Sequence, residues 1–137
     1  MFDLDRFIIA QNNCGMYELA LSEIKAGNKR NHWIWFVFPQ INGLGRSATS
    51  QKFAISSLLE AKAYLDSDLL EYRLREAANA LLELNCTVED AFGGLDAMKT
   101  QSSMTLFDLV SPNDVFGMVL NHCFNGERCM RTLQIVQ

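Results

Sequence analysis

Residues 29–47 read KRNHWIWFVFPQINGLGRS, and this stretch decides the fold class. Its centre, residues 33–39, is rich in aromatic and β-branched side chains, has no helical period and ends at a proline. Locally that pattern is typical of a β-strand. A single strand has no hydrogen-bonding partner, however, and no other part of the chain offers one. We therefore predict an extended or irregular segment at about 31–40 that crosses a helical core, in which a first turn of helix is not excluded.

The sequence before this segment contains residues that typically begin and end helices. Asp3 or Asp5 can cap a short first helix. Gly15 ends that helix, and a second one is predicted over 16–25 with an apolar stripe along one side. Gly27 follows at the position where glycine commonly terminates a helix.

The sequence after the segment contains several more residues that typically begin helices. Hydroxyl side chains stand where helix caps are expected, at Ser47, Ser57, Ser67 and Thr87. The longest predicted helix covers 68–84 and has separate apolar and charged faces. A further helix is predicted over 95–109, another begins at Ser111-Pro112 with proline in its first turn, and a last short helix closes the chain. The pattern predicts an all-α fold: a compact multihelical single domain over 1–137, with seven or eight short helices and no sheet.

Composition limits the class of protein. The chain has 137 residues, of which 49% are hydrophobic and 20% charged, as in an ordinary globular domain. Its formal net charge of −4 argues against a general nucleic-acid-binding protein, which needs an excess of lysine and arginine. The first residues, MFDLDRF, lack the features of a secretory signal, and the apolar run at 33–39 is too short to cross a membrane. We expect a cytoplasmic protein without a membrane segment.

The four cysteines give no metal or redox signature. Cys14, Cys86, Cys123 and Cys129 include no Cys-x-x-Cys pair. Small apolar thiols in a reducing compartment explain them best, and His122 beside Cys123 is the only metal-like neighbour pair. We predict neither a metal nor a cofactor, and the sequence leaves the oligomeric state open.

Residues 29–47 are also the predicted ligand site. They combine cations, flat aromatic faces, an amide and a glycine turn that leads into a helix start: Lys29, Arg30, Trp33, Trp35, Gln40, Gly43, Gly45, Arg46 and Ser47. Arginine holds a phosphate or carboxylate through paired hydrogen bonds, a helix start favours an anion, and a tryptophan can stack on a ring. His32 titrates near neutral pH and is a candidate acid or base. This combination predicts a pocket for a small anionic, ring-bearing ligand such as a nucleotide.

A second polar cluster lies in the helix predicted at 95–109. Residues 99–107 read KTQSSMTLF, and Lys99, Ser102 and Ser103 share a side of that helix. With Glu60 and His32, Lys99 completes the set of candidate catalytic residues. Ordinary alternatives exist for each feature: clustered aromatics are more often core, a histidine beside tryptophan is more often structural, and a polar helix face is more often solvated.

Three stretches of the sequence resemble a known family. KRNHWIWFVFPQINGLGRSATSQKFAI, LLEAKAYL and MKTQSSMTLF are similar to the DUF1810 family of small, mostly bacterial proteins of unknown function. The resemblance covers nearly the whole chain and implies a compact multihelical domain. It supplies no established activity, although members are sometimes labelled calpastatin-like; nothing in this sequence indicates protease inhibition. Phe53 lies where the resemblance leads us to expect tyrosine; if that hydroxyl contacts a ligand in relatives, the contact is missing here.

A looser similarity connects the chain to NADAR-type proteins, which act on ADP-ribosyl compounds. It rests on the aromatic segment followed by Lys52-Phe53 and Glu60-Ala61. Two hypotheses follow. In the first, the protein binds a nucleotide or ADP-ribose-like ligand, with or without hydrolytic turnover. In the second, it is a non-enzymatic protein-interaction module in which the aromatic segment is core.

Overall fold

Helices form nearly all the regular structure in the computed structural model, which describes residues 1–137 and contains no strand. This confirms the all-α prediction. A single 3₁₀ turn at Asn13–Gly15 separates the first two helices. The α-helices, in chain order, are α1 Asp5–Asn12, α2 Met16–Ala26, α3 Ile34–Val37, α4 Ala48–Lys52, α5 Leu58–Asp66, α6 Asp68–Leu82, α7 Val88–Phe92, α8 Gly94–Val110, α9 Val115–Cys123 and α10 Met130–Val136. There are more of them than predicted, because several are only one turn long.

Short-range capping rules account for most helix starts. The side chains of Ser47, Ser57 and Thr87 accept hydrogen bonds from backbone N–H groups three residues later, at 3.1, 3.2 and 3.0 Å. Gly27 ends α2 in the left-handed conformation, with φ of 68°. Ser67 precedes α6 as predicted, but its side chain makes no capping hydrogen bond.

The helix predicted to begin at Ser111-Pro112 begins later. Asn113 has a positive φ of 59°, which interrupts helical geometry, and Asp114 is the residue that caps α9. The Asp114 carboxylate accepts from Val115 N at 2.7 Å and from the Ser111 hydroxyl at 2.7 Å. A carboxylate next to the first N–H groups of a helix is a stronger cap than the serine, so the start moves to Val115.

The aromatic segment is not extended throughout. Trp33 O accepts hydrogen bonds from Phe36 N and Val37 N at 3.3 and 3.1 Å, which closes the one turn of α3. The chain becomes extended only beyond it, where Ile41 forms an isolated parallel bridge with Ile55. With no second strand available for residues 33–37, the turn of helix satisfies backbone groups that would otherwise be buried without partners.

Helix α8 lies at the centre of the fold and positions the candidate site. It packs against α3, α5, α7, α9 and α10. Residues 102–107 of this helix are all buried, including three hydroxyl side chains. No helix is long and apolar enough to cross a bilayer.

Candidate functional site

A buried carboxylate organises the beginning of the aromatic segment. Glu23, on α2, accepts hydrogen bonds from Arg30 N at 2.8 Å, Asn31 N at 3.0 Å and Trp33 Nε1 at 2.9 Å. Burial raises the pKa of Glu23, but these hydrogen bonds outweigh it and hold the pKa at about 2. Trp33 is fully buried and its indole N–H is used here, so it cannot stack on a ligand as predicted.

Lys29 is also part of the framework. Its Nζ lies 2.7 Å from Asp96 Oδ2, donates to Asn31 O at 2.6 Å and stands 4.8 Å from the centre of the Trp33 ring. Its side chain is only 6% exposed. The predicted ligand role of Lys29 is therefore replaced by a structural ion pair that ties the segment to α8.

Two neighbours of Lys29 face solvent. Arg30 and His32 are both exposed, and neither lines the pocket described below. The backbone N–H of Arg30 is fixed by Glu23, but its guanidinium makes no ion pair. The structure thus separates Arg30 and His32 from the other candidate site residues.

Glu60 serves the fold rather than a site. It is buried and lies 2.9 Å from Arg6 Nη1, and it accepts from Ser56 N at 2.7 Å. Burial raises the pKa of Glu60, but hydrogen bonds from Ser56 and Arg6 bring it below its usual range. Both oxygens of Glu60 are engaged, and the residue does not line the cationic pocket, so it does not have the free carboxylate that the predicted catalytic role requires.

Several other predicted residues do meet, in one pocket of about 360 Å³. This cationic pocket lies between the glycine turn at 43–47, the first half of α8 and the start of α10. Its volume is at the lower end of the range for small-molecule sites, about 300–1,000 Å³. The lining residues are Gln40, Leu44, Gly45, Arg46, Ser47, Ser50, Leu95, Met98, Lys99, Ser102, Cys129 and Arg131.

Close packing fixes the turn that forms one wall of the cationic pocket. A Cβ atom on Gly45 would lie 2.4 Å from Ser50 Cβ, so only glycine fits against α4 at this position. Ser47 Oγ donates to Ser50 Oγ at 2.9 Å, and Gln51 Nε2 donates to Arg46 O at 3.1 Å. Gly43 lies outside the pocket, but its carbonyl oxygen accepts from Arg131 Nη2 at 3.4 Å.

The opposite wall contains Cys129 and Arg131, which the sequence did not indicate as site residues, and Ser102, which shares a side of α8 with Lys99. The single hydrogen of Ser102 Oγ is shared between Met98 O at 3.0 Å and Cys129 Sγ at 3.3 Å. Cys129 N donates to the Thr105 hydroxyl at 3.0 Å, which attaches the start of α10 to α8. Cys129 and Arg131 lie more than 80 positions from the glycine turn, so no local pattern could connect them with it.

The pKa of Cys129 is below its ordinary value. Burial raises it, but the Ser102 hydroxyl, 3.3 Å from Sγ, and the polar groups at the start of α10 lower it by a larger amount. Cys123 behaves in the opposite way, because burial without such donors raises its pKa.

Two of the predicted residues, Ser103 and Trp35, do not line the cationic pocket. Ser103 is fully buried and its hydroxyl has no hydrogen-bond partner. Trp35 is half-buried, and its indole N–H is likewise buried and unpartnered. Neither lines the cationic pocket, so the predicted ligand contacts of Ser103 and Trp35 are not formed by this arrangement.

The charge in the cationic pocket is positive. Arg46, Lys99 and Arg131 line it, and no carboxylate does. Asp96 is the nearest acid to this set, 3.5 Å from Lys99 Nζ, and it is shared with Lys29. Arg46 and Arg131 have no ion-pair partner, so the pocket keeps at least two unneutralised cations in a protein whose net charge is −4.

Other depressions are less suited to a ligand. The largest, about 680 Å³, lies along α1 and includes Arg6 and Lys52. The Arg6 guanidinium is already committed there, since it bonds to Glu60 and to the carbonyl oxygens of Ala54 and Lys52. No three His, Cys, Asp or Glu side chains are arranged to hold a metal ion.

Comparison with known proteins places the chain in a family. A family model described as "Protein of unknown function (DUF1810)" matches residues 1–136. The chain belongs to the DUF1810 family. Its structure is similar to the crystal structure of the conserved hypothetical protein Rv1873 from Mycobacterium tuberculosis, with 42% identity, a TM-score of 0.94, and coverage of 98% of this chain and 96% of that one. No curated protein matches the sequence. The fold described above is therefore a DUF1810 fold, and function has to be argued from the pocket.

Proposed function

We propose that the cationic pocket binds a small anionic ligand, a nucleotide or an ADP-ribose-like compound. The observation that carries this proposal is the convergence of Arg46, Lys99 and Arg131 on one pocket without a lining carboxylate. These cations come from three separate parts of the chain, and two of them have no acidic partner. Bringing like charges together costs free energy, which an anionic ligand would recover.

The remaining lining residues fit an anion attached to an organic group. Gln40 offers an amide, and Ser47 and Ser50 offer hydroxyl groups for the polar part of a ligand. Leu44 and Met98 provide an apolar surface on which a base or another flat ring can lie. The volume of about 360 Å³ suits one mononucleotide-sized group, so the second half of an ADP-ribose-like ligand would extend over the rim.

Hydrolytic turnover is not part of the proposal. Of the three catalytic candidates only Lys99 lines the pocket, whereas His32 and Glu60 lie elsewhere. No imidazole or carboxylate lines the pocket to activate a water molecule. Binding without hydrolysis is the activity that this geometry supports best.

Ligand-induced stabilisation tests the proposal. We expect AMP, ADP or ADP-ribose at millimolar concentration to raise the melting temperature by several degrees, since a ligand at 100 times its Kd stabilises by about 2.7 kcal/mol. Adenosine, which lacks the phosphate, should give a much smaller change. The Arg46→Ala and Arg131→Ala variants should lose the response, and Lys62→Ala, which removes an exposed lysine paired with Asp66, should keep it. No response to any of the anions would refute the proposal.

A protein-interaction role is the second candidate, supported by apolar side chains near the pocket. Leu95, Met98 and Met130 are 75%, 65% and 65% exposed. Flexible methionines beside a cationic surface suit an acidic peptide segment as well as a nucleotide. Substitution of Leu95 and Met130 by serine distinguishes the two roles, because peptide binding should weaken strongly, while AMP, which the proposal places against Arg46, Arg131, Leu44 and Met98, should bind with little change.

A further inference from the structure

Cys129 is the one thiol that lines the cationic pocket. It is partly exposed there, while Ser102, which donates to it at 3.3 Å, is 6% exposed. Thr132, in the first turn of α10, is fully buried and its hydroxyl has no hydrogen-bond partner. Cys129 is therefore a partly exposed thiol that accepts one hydrogen bond, from Ser102, in a pocket lined by cations.

The charges around Cys129 favour an anionic reaction partner. Arg46, Lys99 and Arg131 line the same pocket, and the only acid bonded to any of them is Asp96, through Lys99. The preceding Arg128 is paired with Asp108 at 3.3 Å, so it adds little net charge. A thiolate among cations can both attract an anion and attack it.

We propose that Cys129 undergoes thiol–disulfide exchange with small anionic disulfides held by Arg46, Lys99 and Arg131. The Cys129 thiolate attacks one sulfur of the small disulfide, and a new S–S bond forms as the old one breaks. The leaving thiolate departs with the electron pair and takes a proton from water. Cys129 is thereby oxidised to a mixed disulfide, and half of the small molecule is reduced to a thiol.

The cations act at two stages of this exchange. They hold the carboxylates of the disulfide while the sulfur atoms approach each other, and they stabilise negative charge on the leaving thiolate. The product would occupy the pocket and exclude any other anionic ligand. The inference rests on the anion binding proposed above, and it adds a covalent reaction that nucleotide binding does not require.

The chain contains its own controls for a test. Cys14 and Cys86 are exposed thiols outside the pocket, and Cys123 is a partly buried thiol without hydrogen-bond donors. The reduced protein is treated with oxidised glutathione, which is anionic, or with bis(2-hydroxyethyl) disulfide, which is neutral. Peptide mass spectrometry then gives the rate of modification at each cysteine.

We expect oxidised glutathione to modify Cys129 at least about tenfold faster than Cys86, a factor typical of electrostatic steering into a charged cleft. With the neutral disulfide, the ratio of the rate at Cys129 to the rate at Cys86 should fall to near one. With oxidised glutathione, Arg131→Ala should lower this ratio. Arg30→Ala, which removes an exposed arginine outside the pocket, should leave it unchanged. If Cys129 reacts no faster than Cys86, or equally fast with both disulfides, the inference is overturned.

A separate measurement distinguishes this inference from nucleotide binding. Cys129→Ser should abolish the exchange at this position, and the thermal response to AMP is measured on the unmodified wild-type protein. Selective reaction of Cys129 with oxidised glutathione, without any response to nucleotides, would refute the nucleotide proposal and support the exchange. A response to nucleotides without selective exchange would support the nucleotide proposal and refute the exchange.

Discussion

Replacing Glu23 with glutamine removes the negative charge that four N–H groups surround while it keeps the shape of the side chain. The donors are the backbone groups of Arg30 and Asn31 and the side chains of Asn31 and Trp33. These contacts, acting against burial, lower the pKa of Glu23 from 4.5 to about 2. At about 1.4 kcal/mol per pH unit, the fall corresponds to about 3 kcal/mol of stability. For a domain of this size we expect Glu23→Gln to lower the melting temperature by about 10 °C at pH 7.

The stability that Glu23 contributes depends on pH, because its pKa is lowered in the folded protein. Because the pKa of Glu23 is lower in the folded protein than in the unfolded chain, its contribution is present above about pH 4.5. It is lost as the pH falls toward 2, where the folded carboxylate itself becomes protonated. The difference in stability between the wild-type protein and Glu23→Gln should therefore shrink over this window.

Thermal unfolding followed by tryptophan fluorescence is a suitable assay, because Trp33 lies in contact with Glu23. Measurements at pH 7, 4.5, 3 and 2 show directly over which pH range the contribution of Glu23 to stability is lost. Glu18→Gln is the matched control, since Glu18 lies on the same helix and its side chain is 69% exposed. The reasoning is refuted if Glu23→Gln melts within about 2 °C of the wild type at pH 7, or if the difference stays constant down to pH 2.

Two further substitutions test the pocket and the fold. Gly45→Ala should abolish AMP binding measured by calorimetry, because its Cβ would lie 2.4 Å from Ser50 Cβ. Gly94→Ala is the control and should leave binding unchanged, because its Cβ meets no atom nearer than 4.0 Å. Equal binding of AMP by both variants would contradict the geometry. Asp114→Asn should lower the free energy of unfolding in urea by about 1–2 kcal/mol at pH 7, because it removes an ion pair with Arg75 at 2.5 Å but keeps a capping side chain. Since the pKa of Asp114 is lowered to about 2, this loss should diminish as the pH falls from 4 to 2, and a loss independent of pH would contradict it.

Local sequence patterns predicted the parts of this fold that depend on neighbouring residues. Ser47, Ser57 and Thr87 cap helices as predicted, because each capping hydrogen bond lies within four consecutive residues. For the aromatic segment the sequence left an extended, an irregular and a one-turn helical conformation open. β-propensity is easily overridden by packing, and the structure has the turn of helix in the first half, closed by Trp33 O.

Only part of the candidate site was predictable from the sequence, because local patterns do not show which distant residues come into contact. Arg46 and the Gly45 turn came from one continuous segment, and Lys99 from the polar face of one helix. The partner of Lys29 is Asp96, 67 positions away, and no short-range signal indicated that this cation would be used in the core. Cys129 was assigned as an inert thiol because its hydrogen-bond donors, above all Ser102, are brought to it by the packing of α10 on α8.

The central claim is that the cationic pocket holds the anionic group of a ligand, and a crystal of the protein soaked with AMP tests it most directly. We predict electron density for the phosphate between Arg46, Lys99 and Arg131, with the base against Leu44 and Met98. An empty pocket at saturating AMP, or a phosphate bound only at exposed cations elsewhere such as Arg30, would contradict the claim.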